Sequence, residues 1–277
     1  MIRRVDLLRK LRDKVANGQP VIGGGAGTGL SAKCSQTAGL DLVVVYNSGR
    51  YRMAGRSSMA GLMPYGDANE IVMDMGREII PVVEDEFPVV AGVCGTDPFR
   101  SMPRFLRSVR DAGFSGVQNY PTVCLFDGMI RANLEETGLG FDREVDMIAQ
   151  AHELDLFTMS YVHSEDEARA MCEAGADVIV AHAGLTTNGM IGAKTAWPID
   201  EAIAFVERIR AAATSVRDDV LVLAHGGPIA EPDDVARVLR EVPGIHGFLG
   251  ASSMERLPTE VAMVSHMQSY LDLPIGG

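Results

Sequence analysis

Three histidines attract attention because each follows directly on a run of apolar residues. They are His163, His182 and His225. Runs rich in Val, Ile and Leu are typical of strands that are buried on both faces. Imidazoles at the ends of neighbouring strands can act as general acid and base, or can bind a divalent metal such as Zn²⁺. We therefore predict that the three side chains meet at one site, with catalysis and metal binding as open alternatives.

Two further candidates follow other apolar runs. Asp97 precedes Pro98, so its ordinary role would be to cap a helix that begins there. If its carboxylate points inwards instead, it can transfer protons or bind Mg²⁺. Tyr120 carries a hydroxyl that can donate or accept a proton. We predict a catalytic role for Asp97 and Tyr120 beside the histidines.

A segment of about twenty residues, 46–67, follows the second apolar run and shows no helical pattern. Loops of this length in compact proteins are usually lids or binding loops. The segment holds three arginines and no carboxylate before Asp67, in a chain whose formal net charge is −12. Guanidinium groups suit carboxylate and phosphate, whereas a solvated loop or a subunit contact is the alternative. We predict that this segment binds a small anion through Asn47, Arg50, Arg52 and Arg56.

Three turns are rich in glycine or serine. The first, 23–33, can bring backbone N–H groups close to an anion, but no Gly-Lys-Ser/Thr closes it as a Walker loop requires. A flexible tight turn is the alternative. The other two follow the seventh and eighth apolar runs, where barrels often bind phosphate. We predict ligand contacts from these turns at Gly25, Lys33, Gly226, Gly227, Ser252 and Ser253.

These side chains can meet only in a fold that places the ends of several strands close together, and a chain of 277 residues is long enough for such a fold. Eight apolar runs alternate with helix-spaced segments, which predicts parallel strands joined by helical crossovers. The runs are Pro20–Gly23, Asp41–Tyr46, Pro88–Val93, Ser115–Tyr120, Leu156–Val162, Asp177–His182, Val220–His225 and Ile245–Gly250. We predict one (β/α)₈ barrel over 1–277, with a doubly wound open sheet as the alternative. A leading helix, 3–16, should close its bottom, and the fourth connection should hold an extra helix, at about 126–137 and 142–153.

Composition narrows the class of protein. The net charge of −12 and the pI near 4.9 argue against nucleic acid as a partner. The sequence has no apolar run long enough to cross a membrane and no signal peptide, so we predict a cytoplasmic protein without a membrane partner. The cysteines lack metal-site spacing and are expected to be buried thiols: Cys34, Cys94, Cys124 and Cys172.

Several motifs carry a family resemblance. They are residues 23–33, 46–52, 92–98, 118–123, 182–186 and 250–256. Together they resemble phosphoenolpyruvate hydrolase-like TIM-barrel proteins over essentially the whole chain. The resemblance implies a hydrolase or lyase that acts on phosphoenolpyruvate or phosphonopyruvate, related to barrels that bind Mg²⁺ with paired acids near strands two to four. In that stretch of this chain, Asp97 is the only carboxylate at a strand end.

The leading hypothesis is an enzyme that cleaves or rearranges a small anionic substrate, phosphorylated or a keto acid, by acid/base chemistry. Its cofactor is left open, with Mg²⁺ or Zn²⁺ as the candidates. The alternative is a barrel that binds a ligand, or assembles with itself or a partner, without turnover. The chain is also similar to the carboxyl-terminal half of plant tobamovirus-resistance proteins, where the barrel follows an ATP-binding domain. That similarity implies an ATP-binding-domain protein as a partner, and we also expect a homo-oligomer.

Overall fold

The computed structural model describes residues 1–271 and 273–275. Its strands are β1 (Val21–Gly25), β2 (Leu42–Val45), β3 (Val89–Val93), β4 (Gly116–Asn119), β5 (Phe157–Val162), β6 (Val178–His182), β7 (Leu221–His225) and β8 (Gly247–Gly250). Each strand pairs in parallel with the next, and β8 pairs with β1 to close the barrel. The predicted (β/α)₈ barrel is therefore confirmed, and the open sheet is excluded.

Helices surround this barrel. They are α1 (Arg4–Ala16), α2 (Gly29–Ala38), α3 (Asn47–Met53), α4 (Ala68–Ile79), α5 (Met102–Asp111), α6 (Gly128–Glu136), α7 (Asp142–Glu153), α8 (Glu165–Glu173), α9 (Ile199–Val216), α10 (Pro232–Glu241) and α11 (Arg256–Leu271). The two helices predicted in the fourth connection are present as α6 and α7. Within the described part of the chain, none of these helices is both long enough and apolar enough to span a membrane.

The leading helix lies where the sequence predicts it. Arg4 on α1 pairs with Asp177 at 2.7 Å, and Lys14 pairs with Asp41 at 2.6 Å. Asp177 and Asp41 directly precede β6 and β2, so α1 lies across the amino ends of the strands. Three of its leucines are buried there. The bottom of the barrel is thus closed, and the site must be sought at the opposite end.

Strands β1 and β8 begin or end two residues away from the predicted apolar runs. β1 continues to Gly25, two residues beyond the predicted end, and β8 begins at Gly247, two residues after the predicted start. In the register of this pair, Val21 lies opposite Gly247 and Gly24 lies opposite Gly250. A run of glycines carries no apolar side chains that would mark a strand in the sequence, yet glycine is required at Gly23 in β1. A Cβ atom on Gly23 would lie 2.8 Å from the Leu249 side chain.

The segment after β2 is not the irregular loop that the sequence predicts. It contains α3 and a 3₁₀ turn, Ser58–Leu62. The buried positions of α3 are Asn47, Ser48, Gly49 and Arg52. Because its inward face is polar, the helix has no apolar stripe in the sequence, and the prediction of a loop was wrong.

The cysteines are free thiols, as predicted. Cys124 and Cys172 are buried and Cys94 is half-buried. Cys34 is exposed on α2, so the expectation of burial was wrong for this residue. Its helix is short and only weakly amphipathic, which leaves the sequence pattern without a clear inward face.

Helix α11 leaves most of its apolar side chains in contact with solvent. Met263, Met267 and Tyr270 are 51%, 57% and 62% exposed. With Val264 and Leu271 they recur at helical spacing and form one stripe. Residues 261–271 carry no charge, in a chain whose net charge is −12. An uncharged stripe is the kind of surface on which two copies of an acidic chain can meet without repulsion.

The homo-oligomer remains a prediction, and it can be tested by changing a residue in the exposed stripe of α11. Met267→Glu places a charge in the middle of the stripe, so we expect the oligomer to shift towards monomer in light scattering after size-exclusion chromatography. Ser265→Glu, on the opposite side of α11, should leave the mass unchanged. A wild-type chain that elutes as a monomer at every concentration would contradict the expectation.

Candidate active site

A small pocket, with a cavity volume of about 30 Å³, opens at the carboxyl ends of the strands. It is lined by side chains that follow β2, β4, β6, β7 and β8, together with Tyr161 from within β5. Its polar side chains are Tyr46, Ser48, Arg52, Ser58, Tyr120, Tyr161, His182, Thr186, His225 and Ser252. Of the residues proposed from the sequence, the fold brings Arg52, Tyr120, His182, His225 and Ser252 together here.

The two histidines in the pocket have opposite hydrogen-bonding roles. His225 Nδ1 lies 2.6 Å from the Leu249 carbonyl, which can only accept, so Nδ1 carries the proton and Nε2 of the neutral ring is an acceptor. His182 Nδ1 accepts the Gly184 N–H at 3.1 Å, so its proton is on Nε2. The rings are 4.6 Å apart between centroids. One imidazole therefore donates to the pocket, and the other accepts.

Both rings are neutral at ordinary pH. Burial lowers the pKa of His225 to about 4, and the positive charge of Arg52 acts in the same direction. Burial also lowers the pKa of His182 well below its usual value, and the imidazoles of His225 and His163 lower it further. A group with a pKa below the working pH is in its basic form, so His225 Nε2 is free to accept a proton.

His163 does not reach the pocket. Its Nδ1 donates to the His182 carbonyl at 2.8 Å, and its ring stacks on Trp197 at 5.3 Å. The ring also packs against Phe205 of α9. Successive residues of a strand point to opposite sides, so strand-end position alone does not decide which histidine faces inwards. The predicted meeting of three histidines is reduced to a pair.

A row of hydrogen-bonding groups runs from Gln118 to His225. The Tyr46 hydroxyl donates to Gln118 Oε1 at 2.5 Å and lies 2.8 Å from the Tyr161 hydroxyl. The Tyr161 hydroxyl is 3.3 Å from His225 Nε2. The hydroxyls of Tyr46 and Tyr161 have two protons between them, one fewer than the three hydrogen bonds of this row require. Rotation of the Gln118 amide would present Nε2, which has no partner among the described residues, and would supply the third proton.

Burial keeps these tyrosines protonated. It raises the pKa of Tyr46 and of Tyr161 well above the usual value, and it raises the pKa of Tyr120. The Tyr120 hydroxyl donates to the Ser58 carbonyl at 3.2 Å. The tyrosines therefore act as neutral donors and acceptors, and His225 is the basic group of the row.

Arg52 and Glu255 form an ion pair under the pocket, with side chains 1% and 2% exposed. Arg52 Nε and Nη2 donate to Glu255 Oε2 at 2.9 and 2.8 Å. The Gly27 N–H donates to Glu255 Oε1 at 2.6 Å. The pair joins the helix after β2 to the turns after β8 and β1, so it fixes the guanidinium in one orientation.

The remaining nitrogen of Arg52 faces two serines. Nη1 is 3.5 Å from Ser58 Oγ, and Ser58 Oγ is 3.3 Å from Ser252 Oγ. These donors come from the 3₁₀ turn after α3 and from the turn after β8. Together they form a subsite that suits a carboxylate or phosphate oxygen.

The other candidates of the arginine segment point elsewhere. Arg50 is partly exposed and pairs with Asp74 on α4 at 3.0 Å. Arg56 is exposed, and its guanidinium donates to the Gly55 carbonyl. Asn47 is buried but donates to the Gly61 carbonyl and lines a neighbouring cavity. Helix α3 turns successive side chains in different directions, so of the four residues predicted in this segment only Arg52 lines the pocket.

The three glycines predicted to contact the ligand, Gly25, Gly226 and Gly227, are not among the residues that line the pocket. They allow neighbouring segments of the chain to pack closely. A Cβ on Gly226 would lie 2.3 Å from the Gly184 carbonyl oxygen, and the Gly227 N–H donates to that carbonyl at 2.7 Å. A Cβ on Gly25 would meet Arg52 Nη2 at 3.2 Å. Gly25 thus gives Arg52 room, and Gly226 and Gly227 join the ends of β6 and β7.

Two remaining candidates are also outside the pocket. Lys33 is exposed on α2, since the glycine run ends in β1 and the helix that follows points this side chain outwards. Ser253 is half-buried but is not in the lining, whereas its neighbour Ser252 is. The turn after β8 therefore contributes one serine.

Asp97 neither caps a helix nor enters the pocket. Its Oδ1 accepts the Phe99 N–H, and its Oδ2 accepts from Asn69 at 3.0 Å and pairs with Arg100 at 2.9 Å. Helix α5 begins only at Met102. The carboxylate is thus engaged in an ion pair beside neighbouring cavities on the same side of the barrel.

Sequence reasoning missed part of the site. Tyr46, Ser48, Ser58, Tyr161 and Glu255 were not singled out. Tyr46 and Tyr161 lie within or beside apolar strands, where a hydroxyl-bearing residue is a usable signal. Glu255 lies in the 250–256 motif, but nothing in its spacing shows that it meets Arg52, 203 residues away.

The pocket does not provide the ligands of Mg²⁺ or Zn²⁺. Mg²⁺ prefers carboxylate and water oxygens, and Zn²⁺ usually needs three protein ligands. Among the described residues that line the pocket none is a carboxylate, and Glu255 beside it is occupied by Arg52. No group of three or more His, Cys, Asp or Glu in the described ranges could hold a metal ion.

Comparison with known proteins gives a consistent picture. The profile of the phosphoenolpyruvate hydrolase-like family matches residues 6–273. The ToMV resistance protein Tm-1(GCR237) of tomato, Solanum lycopersicum, is 56% identical over 268 residues, which are 97% of this chain and 35% of that protein. The chain thus spans about a third of the length of this relative.

Solved structures share the fold. The phosphoenolpyruvate phosphomutase of Streptomyces platensis subsp. rosaceus has a TM-score of 0.63 and 16% identity, covering 96% of this chain and 86% of that one. A phosphonopyruvate hydrolase in complex with oxalate and Mg²⁺ has a TM-score of 0.58 and 18% identity, covering 98% and 88%. At this identity the likeness concerns the barrel alone.

Breaking the buried ion pair should be costly. Arg52→Met leaves the Glu255 carboxylate buried without its partner, so we expect the free energy of unfolding to fall by about 3–5 kcal/mol in urea titrations. Arg52→Met with Glu255→Leu should recover part of this loss. Arg50→Met removes only a partly exposed pair and should cost less than about 1 kcal/mol. Equal losses for the two single variants would contradict the argument.

The neutral His225 predicts a specific pH dependence. Below pH 6.5 the unfolded histidine gains a proton, whereas the folded one resists until about pH 4, so stability is lost as the pH falls through this range. From pH 7.5 to 5 the wild type should lose about 2 kcal/mol that His225→Gln does not lose. Burial raises the pKa of Glu144 to about 7, so protonation of this carboxyl adds stability as the pH falls. This contribution is the same in the wild type and in His225→Gln, and it cancels when their profiles are compared. Parallel pH profiles of unfolding free energy for the two proteins would contradict the assignment of His225 as a buried, neutral imidazole.

Proposed function

Because the chain belongs to the phosphoenolpyruvate hydrolase-like family, we propose that its pocket cleaves or rearranges a small anionic substrate, a phosphorylated acid or a keto acid. The hydrolase or lyase class expected from the sequence is that of this family. One observation carries the proposal: a donating imidazole and an accepting imidazole lie 4.6 Å apart between centroids in a pocket that also holds a fixed guanidinium.

Substrate binding is assigned to one side of the pocket. Arg52 Nη1, Ser58 Oγ and Ser252 Oγ are the donors for an anionic group. The guanidinium does not have to be ordered on binding, because Glu255 already holds it. Preset donors stabilise charge at little cost of reorganisation.

The chemistry is assigned to the two histidines. In an aldol-type cleavage, His225 Nε2 takes the proton of a substrate hydroxyl, and the new carbonyl forms as the carbon–carbon bond breaks. The electron pair of that bond passes to the carbon next to a second carbonyl, whose oxygen becomes negative. His182 Nε2–H donates to this oxygen. The first step needs a neutral His225, and burial keeps both imidazoles neutral.

The tyrosines tune the base. Tyr161 contacts His225 Nε2, and Tyr46 contacts Tyr161, so a proton taken up by His225 can be shared along the row. Because the hydroxyl pKa values are raised, the tyrosines do not compete with His225 as bases. The Tyr120 hydroxyl also lines the pocket, where its proton is donated to the Ser58 carbonyl and its oxygen can accept from a substrate.

The second candidate function is a barrel that binds a ligand or a partner without turnover. It is favoured by one observation, that the barrel is 35% of a longer tomato relative. In that case a separate ATP-binding-domain protein would be the expected partner, and the pocket would sense a ligand for it. His182→Ala distinguishes the two, because a scaffold keeps its assembly unchanged and has no turnover to lose.

The test of catalysis is a mass-spectrometric screen of small phosphorylated acids and keto acids for turnover. For a converted substrate, His182→Gln should lower kcat by about 100-fold or more, the usual contribution of a proton-transferring group. His163→Gln is the matched control, since His163 also follows a strand but lies outside the pocket. Its kcat should stay within about tenfold of wild type.

Two outcomes would overturn the assignment. Turnover that survives in His182→Gln would remove this histidine from the chemistry. A larger loss in His163→Gln than in His182→Gln would place the reaction outside the pocket. Circular dichroism of each variant excludes loss of fold as the cause.

A further inference from the structure

We propose that the pocket binds its anion without a divalent metal, and that the buried guanidinium of Arg52, together with the hydroxyl groups beside it, supplies hydrogen-bond donors that take the place of a metal. The inference rests on the proposed function in one respect, because it concerns the same pocket. It goes further by assigning the ligand chemistry: a compact carboxylate or phosphate held by Arg52 Nη1 and hydroxyl donors.

The first step concerns the charge already present. Arg52 is 1% exposed and contributes to the pocket lining. Glu255 balances this charge, so a divalent cation in the same pocket would find no free carboxylate among the described lining residues. An anion instead meets the N–H of Arg52 Nη1 and the hydroxyls of Ser58 and Ser252 as donors.

The second step concerns Glu255, an acid next to the pocket that could be suspected as a metal ligand. Its Oε2 accepts two N–H groups of Arg52, and its Oε1 accepts the Gly27 N–H. A carboxylate with three such donors is engaged on both oxygens. Glu255 is therefore a positioning residue that orients Arg52.

The third step concerns the imidazoles. His225 Nδ1 donates to the Leu249 carbonyl, which leaves Nε2, 3.3 Å from the Tyr161 hydroxyl, as its one remaining nitrogen. His182 Nδ1 accepts a backbone N–H, which also leaves Nε2 alone. Two imidazole nitrogens are too few for a zinc site, which usually has three protein ligands. With its proton in place, His182 Nε2 is a fourth donor towards an anion, after Arg52 Nη1 and the two serine hydroxyls.

The probe is oxalate, a small dicarboxylate that a phosphonopyruvate hydrolase of the same fold binds together with Mg²⁺. Protein and buffers are passed over chelating resin, and oxalate is titrated by calorimetry. The titration is then repeated after addition of Mg²⁺. We expect binding in the metal-free protein, with a Kd that Mg²⁺ changes by less than about twofold, because binding depends on Arg52 and the hydroxyls.

Variants test the role of Arg52. The double variant Arg52→Gln with Glu255→Gln removes both buried charges together and keeps side chains of similar size. We expect its oxalate affinity to fall by about tenfold or more. Arg50→Gln, on the same helix but outside the pocket, is the matched control and should keep the wild-type Kd. Thermal melting shows whether each variant is folded, and the Mg²⁺ comparison on the wild type does not depend on any variant.

The outcomes separate the inference from the proposed function. Oxalate binding that appears only with Mg²⁺ overturns the inference and leaves an anion site in place. Metal-independent binding that survives in the folded double variant overturns the role of Arg52. No binding of oxalate with or without Mg²⁺ contradicts the inference, whereas turnover in the substrate screen reports separately on the proposed function. Metal-independent binding that is lost in the double variant supports the inference.

Discussion

The buried pair of Arg52 and Glu255 is the interaction on which the rest of the site depends. Removing two charges from water is costly, and the pair is tolerable only because its members are matched and hydrogen-bonded. The Gly27 N–H completes the set, so turns after β1, β2 and β8 meet at one carboxylate. Without this contact the Arg52 guanidinium would lose the partner that fixes its direction.

Close backbone contacts make that arrangement possible. Gly27 and Gly49 approach so closely that a Cβ on Gly27 would lie 2.4 Å from the Gly49 carbonyl oxygen. On the other side of the mouth, Gly226 and Gly227 pack against the Gly184 turn in the same way. The glycine-rich turns that suggest anion-binding loops are therefore contacts between loops, and side chains of other residues supply the donors.

The pocket is polar but carries little net charge. Arg52 is balanced by Glu255, the histidines are neutral because they are buried, and the tyrosines stay protonated for the same reason. Its chemistry thus rests on the direction of donors and acceptors. This differs from a metal site, in which carboxylates gather around a cation, and it separates the residues of this barrel from the general likeness of its fold.

The sequence by itself predicted eight parallel strands, since apolar runs such as 177–182 and 220–225 are typical of strands covered on both faces. The pairing of β8 with β1 decided that these strands close into a barrel. The sequence also determined that His182, His225 and Ser252 follow strands at the same end, because all strands of a parallel barrel point one way. Tertiary structure decided which side chains face inwards: His182 over His163, and Arg52 over Arg50. Facing depends on the exact residue at which a strand or a short polar helix begins and ends, because successive side chains point in different directions. Neighbours that are distant in the chain fix that position. The partnership of Arg52 with Glu255 is of this kind, since 203 positions of sequence separate two residues that closure of the barrel brings to 2.8 Å.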